Sequence, residues 1–207
     1  MSSNSPLLLI VSSPSGAGKT TLTNALRDSL NGVVFSVSHT TRTPRNNERD
    51  GREYHFVSPE QFKALIEAGA FLEWAKVHGN LYGTSRSEID RAAGQRCLLF
   101  DVDHQGARQI KSVRPDAVGV FILPPSMKIL EQRLRGRASE TEESFQRRFR
   151  IARSEIAHYG LFDYVLVNDD LQAALKQLSA ILLAEECRRN RAARLAEQLL
   201  VESPSNA

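Results

Sequence analysis

An α/β fold of the P-loop kind, three layers deep (α/β/α) around a mostly parallel sheet, is predicted by three features of the chain. Apolar runs recur at Leu7 to Ser12, Val33 to Ser38, Cys97 to Val102, Val118 to Leu123 and Tyr164 to Val167. A strand without polar alternation has both faces covered, as in parallel sheets flanked by helices. Helical segments with start signals separate these runs, and such alternation implies crossover connections. The glycine-rich turn Ser15-Gly16-Ala17-Gly18-Lys19-Thr20 joins the first run to the first helix.

Helix starts are marked by capping-box patterns at Ser58-Pro59-Glu60-Gln61, Ser85-Arg86-Ser87-Glu88 and Ser139-Glu140-Thr141-Glu142, in which a hydroxyl and a carboxylate or amide satisfy each other's free backbone N–H. Residues 39–84 interrupt the strand–helix rhythm. They are rich in Thr, Arg, Gly and Tyr, include the alternating piece Tyr54-His55-Phe56-Val57, and read as a small, partly antiparallel insertion. Residues 125–160 read as helical and arginine-dense. Both segments are expected to act as mobile flaps over the phosphate site. Leu171, Leu175, Leu178, Ile181 and Leu182 mark one apolar face of a helix beginning near Asp170. One domain is expected over 6–186, with a core of 6–38, 85–124 and 161–186. Residues 187–207 are expected to be its helix end and tail, with Arg188-Arg189-Asn190-Arg191 on a solvated helix end and Glu202 to Ala207 frayed.

Composition narrows the function class. The chain has 207 residues, 41% hydrophobic and 25% charged, enough for one globular core. A net charge of +3 is too small to argue for a nucleic-acid or membrane surface, so neither partner is expected. Cys97 and Cys187 lie far apart, show no metal or redox spacing, and suit a reducing compartment. The N-terminal residues lack a basic leader, and Leu7 to Val11 falls well short of the about 20 apolar residues of a membrane span. A cytoplasmic protein is expected.

The turn after the first run carries the chemistry. Glycines let successive N–H groups point inward, the helix N-terminus adds partial positive charge, Lys19 reaches the terminal phosphates and the Thr20 hydroxyl can ligate magnesium. Ser13 stands where the full pattern has glycine, while every phosphate-contacting position from Ser15 onward is retained. A nucleoside triphosphate with Mg²⁺ is therefore expected over Ser13, Pro14, Ser15, Gly16, Ala17, Gly18, Lys19 and Thr20. Asp101 ends a strand run where a magnesium shell would be held, its alternative being a cap of the next helix.

The acceptor must lie in the polar insertion. Arg42 and Arg45 are three apart in a loop fixed by Pro44, followed by Gly51 and Tyr54. Two guanidinium forks and a phenol suit a second phosphate, the alternative being a solvated basic loop. Glu73-Trp74 precedes a glycine-bracketed tyrosine, Gly79-Asn80-Leu81-Tyr82-Gly83-Thr84. Together with Ser12 to Thr20, Ser36 to Arg45, Asp101-Val102-Asp103, Pro124-Pro125-Ser126 and Val167 to Asp170, these segments closely resemble the guanylate kinase family, in order from about residue 6 to 186.

The resemblance implies transfer of the ATP γ-phosphoryl group to GMP, and to dGMP, giving ADP and GDP in purine nucleotide metabolism. It implies that residues 39–84 bind GMP and residues 125–160 form a lid. Arg42, Arg45, Tyr54 and Tyr82 would hold the GMP phosphate, Ser38, Glu73 and Thr84 would read guanine, and Asp103 would help position the nucleotide. Guanine offers two donors and one acceptor, which an ionised Glu73 and a hydroxyl can match, whereas adenine offers an acceptor in place of one donor. Asn168 would face the adenine of ATP. Arg133, Arg137 and Arg148 would gather around the transferring group, whose charge spreads over three oxygens. Arg135, Arg147, Arg150 and Arg153 read as a solvated face, and none of His39, His55, His78, His104 and His158 has catalytic spacing. Two alternatives stand beside this reading: an interaction module of the same fold that binds protein in its cleft, and a kinase acting on another phosphorylated acceptor. Oligomeric state is left open.

Overall fold

The computed structural model describes residues 5–77, 79–136 and 142–201. The first strand, β1 (Leu7–Ser12), is buried throughout. It leads into α1 (Lys19–Ser29), β2 (Val33–Phe35), β3 (His39–Thr40), β4 (His55–Phe56), α2 (Pro59–Glu67), β5 (Phe71–Val77) and β6 (Asn80–Ser85). There follow α3 (Ser87–Arg91), β7 (Cys97–Asp101), α4 (His104–Val113), β8 (Val118–Leu123), α5 (Met127–Arg135) and α6 (Glu142–Ile156). After a 3-10 turn at Tyr159–Leu161 the chain closes with β9 (Tyr164–Val167), α7 (Leu171–Glu186) and α8 (Arg189–Val201).

The central sheet has the order β2-β7-β1-β8-β9, and every pairing in it is parallel. Alternate residues of β1 serve the two faces. Leu7, Leu9 and Val11 pack with Leu22 and Leu26 of α1 and Leu178 and Leu182 of α7, whereas Leu8 and Ile10 pack with Ala107 and Ile110 of α4. Helices on both faces explain why β1 and β7 read as continuous apolar runs. This is the expected three-layer arrangement. A second sheet, β4-β3-β6-β5, is mixed: β3 and β4 run parallel, while β3–β6 and β5–β6 are antiparallel. Helices α5 and α6 carry a small core of their own, built from Leu130, Leu134, Phe145 and Ala152.

Local signals were met unevenly. Ser58 forms the full capping box, accepting from Gln61 N–H while the Gln61 side chain accepts from Ser58 N–H. Ser58→Ala is expected to cost about 1 kcal/mol of stability in denaturant unfolding, because Gln61 N–H loses its acceptor. The Ser85 box does not form. Helix α3 starts from Arg86 instead, Ser85 hydrogen-bonds to Ser87, and Glu88 turns away to accept from Val37 N–H at 2.6 Å and to bind Arg91. Strand β2 ends at Phe35 rather than Ser38; Ser36 N–H still donates to the Leu99 carbonyl at 2.9 Å, and Val37 N–H, on the open edge, is taken by Glu88. The Ser139 box lies outside the described residues.

The C-terminal expectation also needs correction. Asp170 caps α7 through Ala173 N–H as expected, but the helix stops at Glu186 and a separate helix follows. At the junction Arg188 pairs with buried Glu185 of α7, and Arg191 of α8 donates to the Asp116 carbonyl, between α4 and β8, at 2.8 Å. The basic stretch is a helix junction, with Arg188, Arg189 and Asn190 exposed to solvent as expected. Among the described residues no helix is long and apolar enough to cross a membrane.

Candidate active site

The Ser13–Thr20 turn folds where β1 hands over to α1, at the C-terminal edge of the parallel sheet. Gly18, the N-cap of α1, has φ 91°. A Cβ there would lie 2.4 Å from Asn168 Nδ2. Gly18→Ala is therefore expected to cost about 2 kcal/mol of stability from backbone strain alone and to disturb the Ser13–Thr20 turn; chemical denaturation and ADP release measure the two effects.

A cavity of about 340 Å³ opens over this turn, lined by Ser13, Pro14, Ser15, Gly16, Gly18, Lys19, Thr20, Thr21, Asp103 and Glu155. Arg133 of α5 reaches the turn beside this cavity, donating to the carbonyls of Asn168 at 3.0 Å and Ala17 at 3.4 Å. Arg148 of α6 donates to Ser15 Oγ at 3.1 Å. Asn168 is buried and its amide donates to the Ala17 carbonyl at 2.8 Å, so in this structure it braces the turn. Arg137 lies outside the described residues. Glu155, which sequence reasoning missed, accepts from Ser15 N–H at 3.1 Å. Burial raises its carboxyl pKa, against the pull of that hydrogen bond and of Lys19. Nothing in the sequence pairs residues 140 positions apart.

A second cavity of about 210 Å³ is lined by Ser38, Tyr54, Glu73, Ala75, Val77, Tyr82, Asp101, Val102 and Asp103. Five of the acceptor-site candidates, Ser38, Tyr54, Glu73, Tyr82 and Asp103, thus share one wall. Thr84 stands behind Glu73 and donates from its hydroxyl to Glu73 Oε1 at 2.6 Å. Because that proton is committed, the 2.9 Å contact between Ser38 Oγ and Thr84 Oγ1 has Ser38 as donor. The result is a relay from Ser38 through Thr84 to Glu73. Burial pushes the Glu73 carboxyl up to about 7; the Thr84 hydrogen bond lowers it and the nearby Asp103 charge raises it further.

Arg42 lies 5.4 Å above the Tyr54 ring, with its guanidinium on Glu48 at 2.9 Å. Glu48, also missed in the sequence, accepts from Arg45 N–H at 2.8 Å and so ties both arginine positions to one turn. The Arg45 side chain itself is exposed and does not line the cavity.

The two cavities meet. Asp103 borders both, and its carboxylate caps α4 by accepting from Gln105 and Gly106 N–H, each at 2.9 Å. Lys19 in the first is ion-paired with Asp101 in the second. The cap alternative raised for Asp101 thus belongs to Asp103. Among the described histidines, His39 stacks near His55 and His104 on His158, and none lines either cavity.

Comparison with known proteins agrees with this geometry. The sequence profile of the guanylate kinase family matches residues 5–185. A guanylate kinase from Aromatoleum aromaticum is 52% identical over 182 residues, spanning 87% of this chain and 89% of that protein. One from Myxococcus xanthus is 48% identical over 187 residues, spanning 89% of this chain and 90% of that protein. The crystal structure of a guanylate kinase from Anaplasma phagocytophilum superimposes with a TM-score of 0.73 at 33% identity, covering 99% of this chain and 98% of that one. A P-loop cavity adjoining a carboxylate-floored pocket, with these matches along nearly the whole chain, places the protein in the guanylate kinase family.

Proposed function

We propose that the adjoining cavities hold the two substrates of a guanylate kinase reaction, ATP over Ser13–Thr20 and GMP against Glu73. The observation that supports this arrangement is the shared boundary: Asp103 lines both cavities and the Lys19–Asp101 pair crosses between them. A γ-phosphoryl group seated near Lys19 would then face an acceptor phosphate in line.

In this reading Glu73 accepts the two guanine donors, and the Ser38 hydroxyl turns from Thr84 to donate to guanine O6 while Thr84 keeps its bond to Glu73. Arg42, Tyr54 and Tyr82 take the GMP phosphate, with Arg45 reaching it from its exposed loop. Lys19, Arg133 and Arg148 supply positive charge around the transferring group, and Arg137 is assigned with them from the sequence resemblance. Asn168 holds the turn from beneath the adenine side of ATP. No general base is required, because a phosphate monoester has its second pKa at about 6 and its attacking oxygen is already deprotonated near neutrality.

The residues fit a magnesium ion. The Thr20 hydroxyl and the Asp101 carboxylate are hard oxygen donors, both exposed at the two cavities. One carboxylate and a hydroxyl, with phosphate oxygens and water, is a donor set that suits Mg²⁺. Bound with ATP, Mg²⁺ would neutralise charge on the β and γ oxygens.

ADP release measured with GMP, dGMP, AMP, UMP and ribose phosphates as acceptors tests this reading. Turnover with GMP and dGMP far above the others is expected. A preference for another acceptor would reassign the second cavity, and no ADP release with any acceptor would favour a protein-binding role.

A further inference from the structure

We propose that Gln109 is a positioning residue for guanine selection: its side-chain amide fixes the backbone of β5 where Glu73 turns into the acceptor cavity. The inference rests on the reading of Glu73 as the guanine acceptor. In a regular strand neighbouring side chains face opposite sides. Strand β5 departs from this, since Phe71, Leu72 and Glu73 are all buried and Trp74 is exposed. The cause is a register shift. Phe71 stands opposite Ser85 and Glu73 opposite Thr84, so β5 advances two residues where β6 advances one. A bulge re-aims a side chain at the expense of local ladder bonds.

Strand β5 is also an edge strand, with β6 on one side only. On its open side α4 supplies the missing partner. Trp74 N–H donates to Gln109 Oε1 at 3.1 Å, and Gln109 Nε2 donates to the Trp74 carbonyl at 2.9 Å. One amide thereby serves both main-chain groups of the residue that follows Glu73, as a neighbouring strand would.

The same face of α4 carries Asp103 and Gly106, each three positions from the next. A Cβ at Gly106 would lie 3.1 Å from Glu73 Oε2, so the carboxylate rests against bare backbone. Glu73 is thus set from both sides, by the Thr84 hydroxyl from β6 and by α4. Two in-plane hydrogen bonds to guanine demand such placement, and a shift of about 1 Å can cost about 10²-fold in rate. Gln109 and Trp74 are both partly exposed, so water can replace the two bonds with little loss of stability. Their worth lies in geometry.

The test uses the full chain with Gln109→Leu, which removes both bonds, Gln109→Glu, which keeps only the acceptor for Trp74 N–H, and Glu73→Gln. In Gln109→Leu the KM for GMP should rise about tenfold and the preference for GMP over AMP should fall by a comparable factor, with the KM for ATP and the Tm close to the parent. Gln109→Glu should fall between. Isothermal titration calorimetry reports GMP binding without turnover and independently of Trp74, whose own hydrogen bonds the Gln109 variants alter. Unchanged GMP affinity and preference in Gln109→Leu would overturn the proposal. So would an equal loss for ATP and GMP with a lowered Tm, the mark of a purely structural role. Should Gln109→Leu fail to fold, Gln109→Glu is judged by the same two criteria. Full GMP preference in Glu73→Gln would instead remove the guanine reading itself.

Discussion

Lys19→Met is expected to lower kcat by about 10³-fold while leaving the affinity for GMP nearly unchanged. Lys19 is the first residue of α1, and its ammonium group lies between the phosphate cavity and Asp101. Methionine keeps much of the apolar stem and removes only the charge. Negative charge spread over three oxygens in the transition state then loses a cation that is already in place and needs no reorganisation. In the proposed reading guanine is held by Ser38, Glu73 and Thr84, whereas Lys19 is ion-paired with Asp101. Stability should change little, because the Asp101 side chain is 36% exposed and water can hydrate it once its partner is gone. Initial-rate ADP release gives kcat, and isothermal titration calorimetry gives GMP binding. A variant that kept more than about a tenth of the parental kcat would count against Lys19 as the phosphate ligand.

How much of this site could be read from the sequence depends on how local each interaction is. The glycine turn between β1 and α1 was legible because Ser13 to Thr20 are contiguous and the turn is a property of the backbone itself. The central sheet was legible because two-sided burial leaves uninterrupted apolar runs, as in Leu7 to Val11. Both signals are properties of a single segment.

Signals that depend on a second segment misled or were silent. Ser85-Arg86-Ser87-Glu88 has the right composition for a capping box, yet Val37 N–H competes for Glu88 and wins. Helix α8 carries no side-chain start signal, so its separation from α7 could not be seen in Arg188 to Arg191. The acceptor pocket gathers Ser38, Glu73, Thr84 and Asp103 from separate elements, and only resemblance to a known family joined them in advance. Glu48, Gln109 and Glu155 escaped even that. Each acts on backbone N–H groups, and such a partnership leaves no trace in side-chain spacing.

Glu73→Gln is expected to cut kcat/KM for GMP by about 10² to 10³-fold and to leave the KM for ATP unchanged. An amide at this position presents one acceptor and one donor, so one of the two guanine donors would face an N–H group in a buried site. Adenine, which offers an acceptor beside its amine, should gain relative to guanine. The pH dependence supplies a second, independent check. Burial raises the Glu73 carboxyl to about 7, and only the ionised form accepts both donors. GMP affinity of the parent should therefore fall as pH drops through about 7, and the glutamine variant should lose this acid limb.

Stability should move in the opposite sense. With the folded pKa above the unfolded value, the native state holds the extra proton between the two, so native stability declines as pH rises across that interval. The accumulated penalty is of order 3 kcal/mol once Glu73 is fully ionised. Glutamine has no such penalty. The Tm of Glu73→Gln relative to the parent should thus increase from about pH 5 to about pH 8, while GMP use declines. A flat difference in Tm across that range would mean that the carboxylate is solvated, and a solvated carboxylate could not discriminate guanine from adenine to the extent expected here.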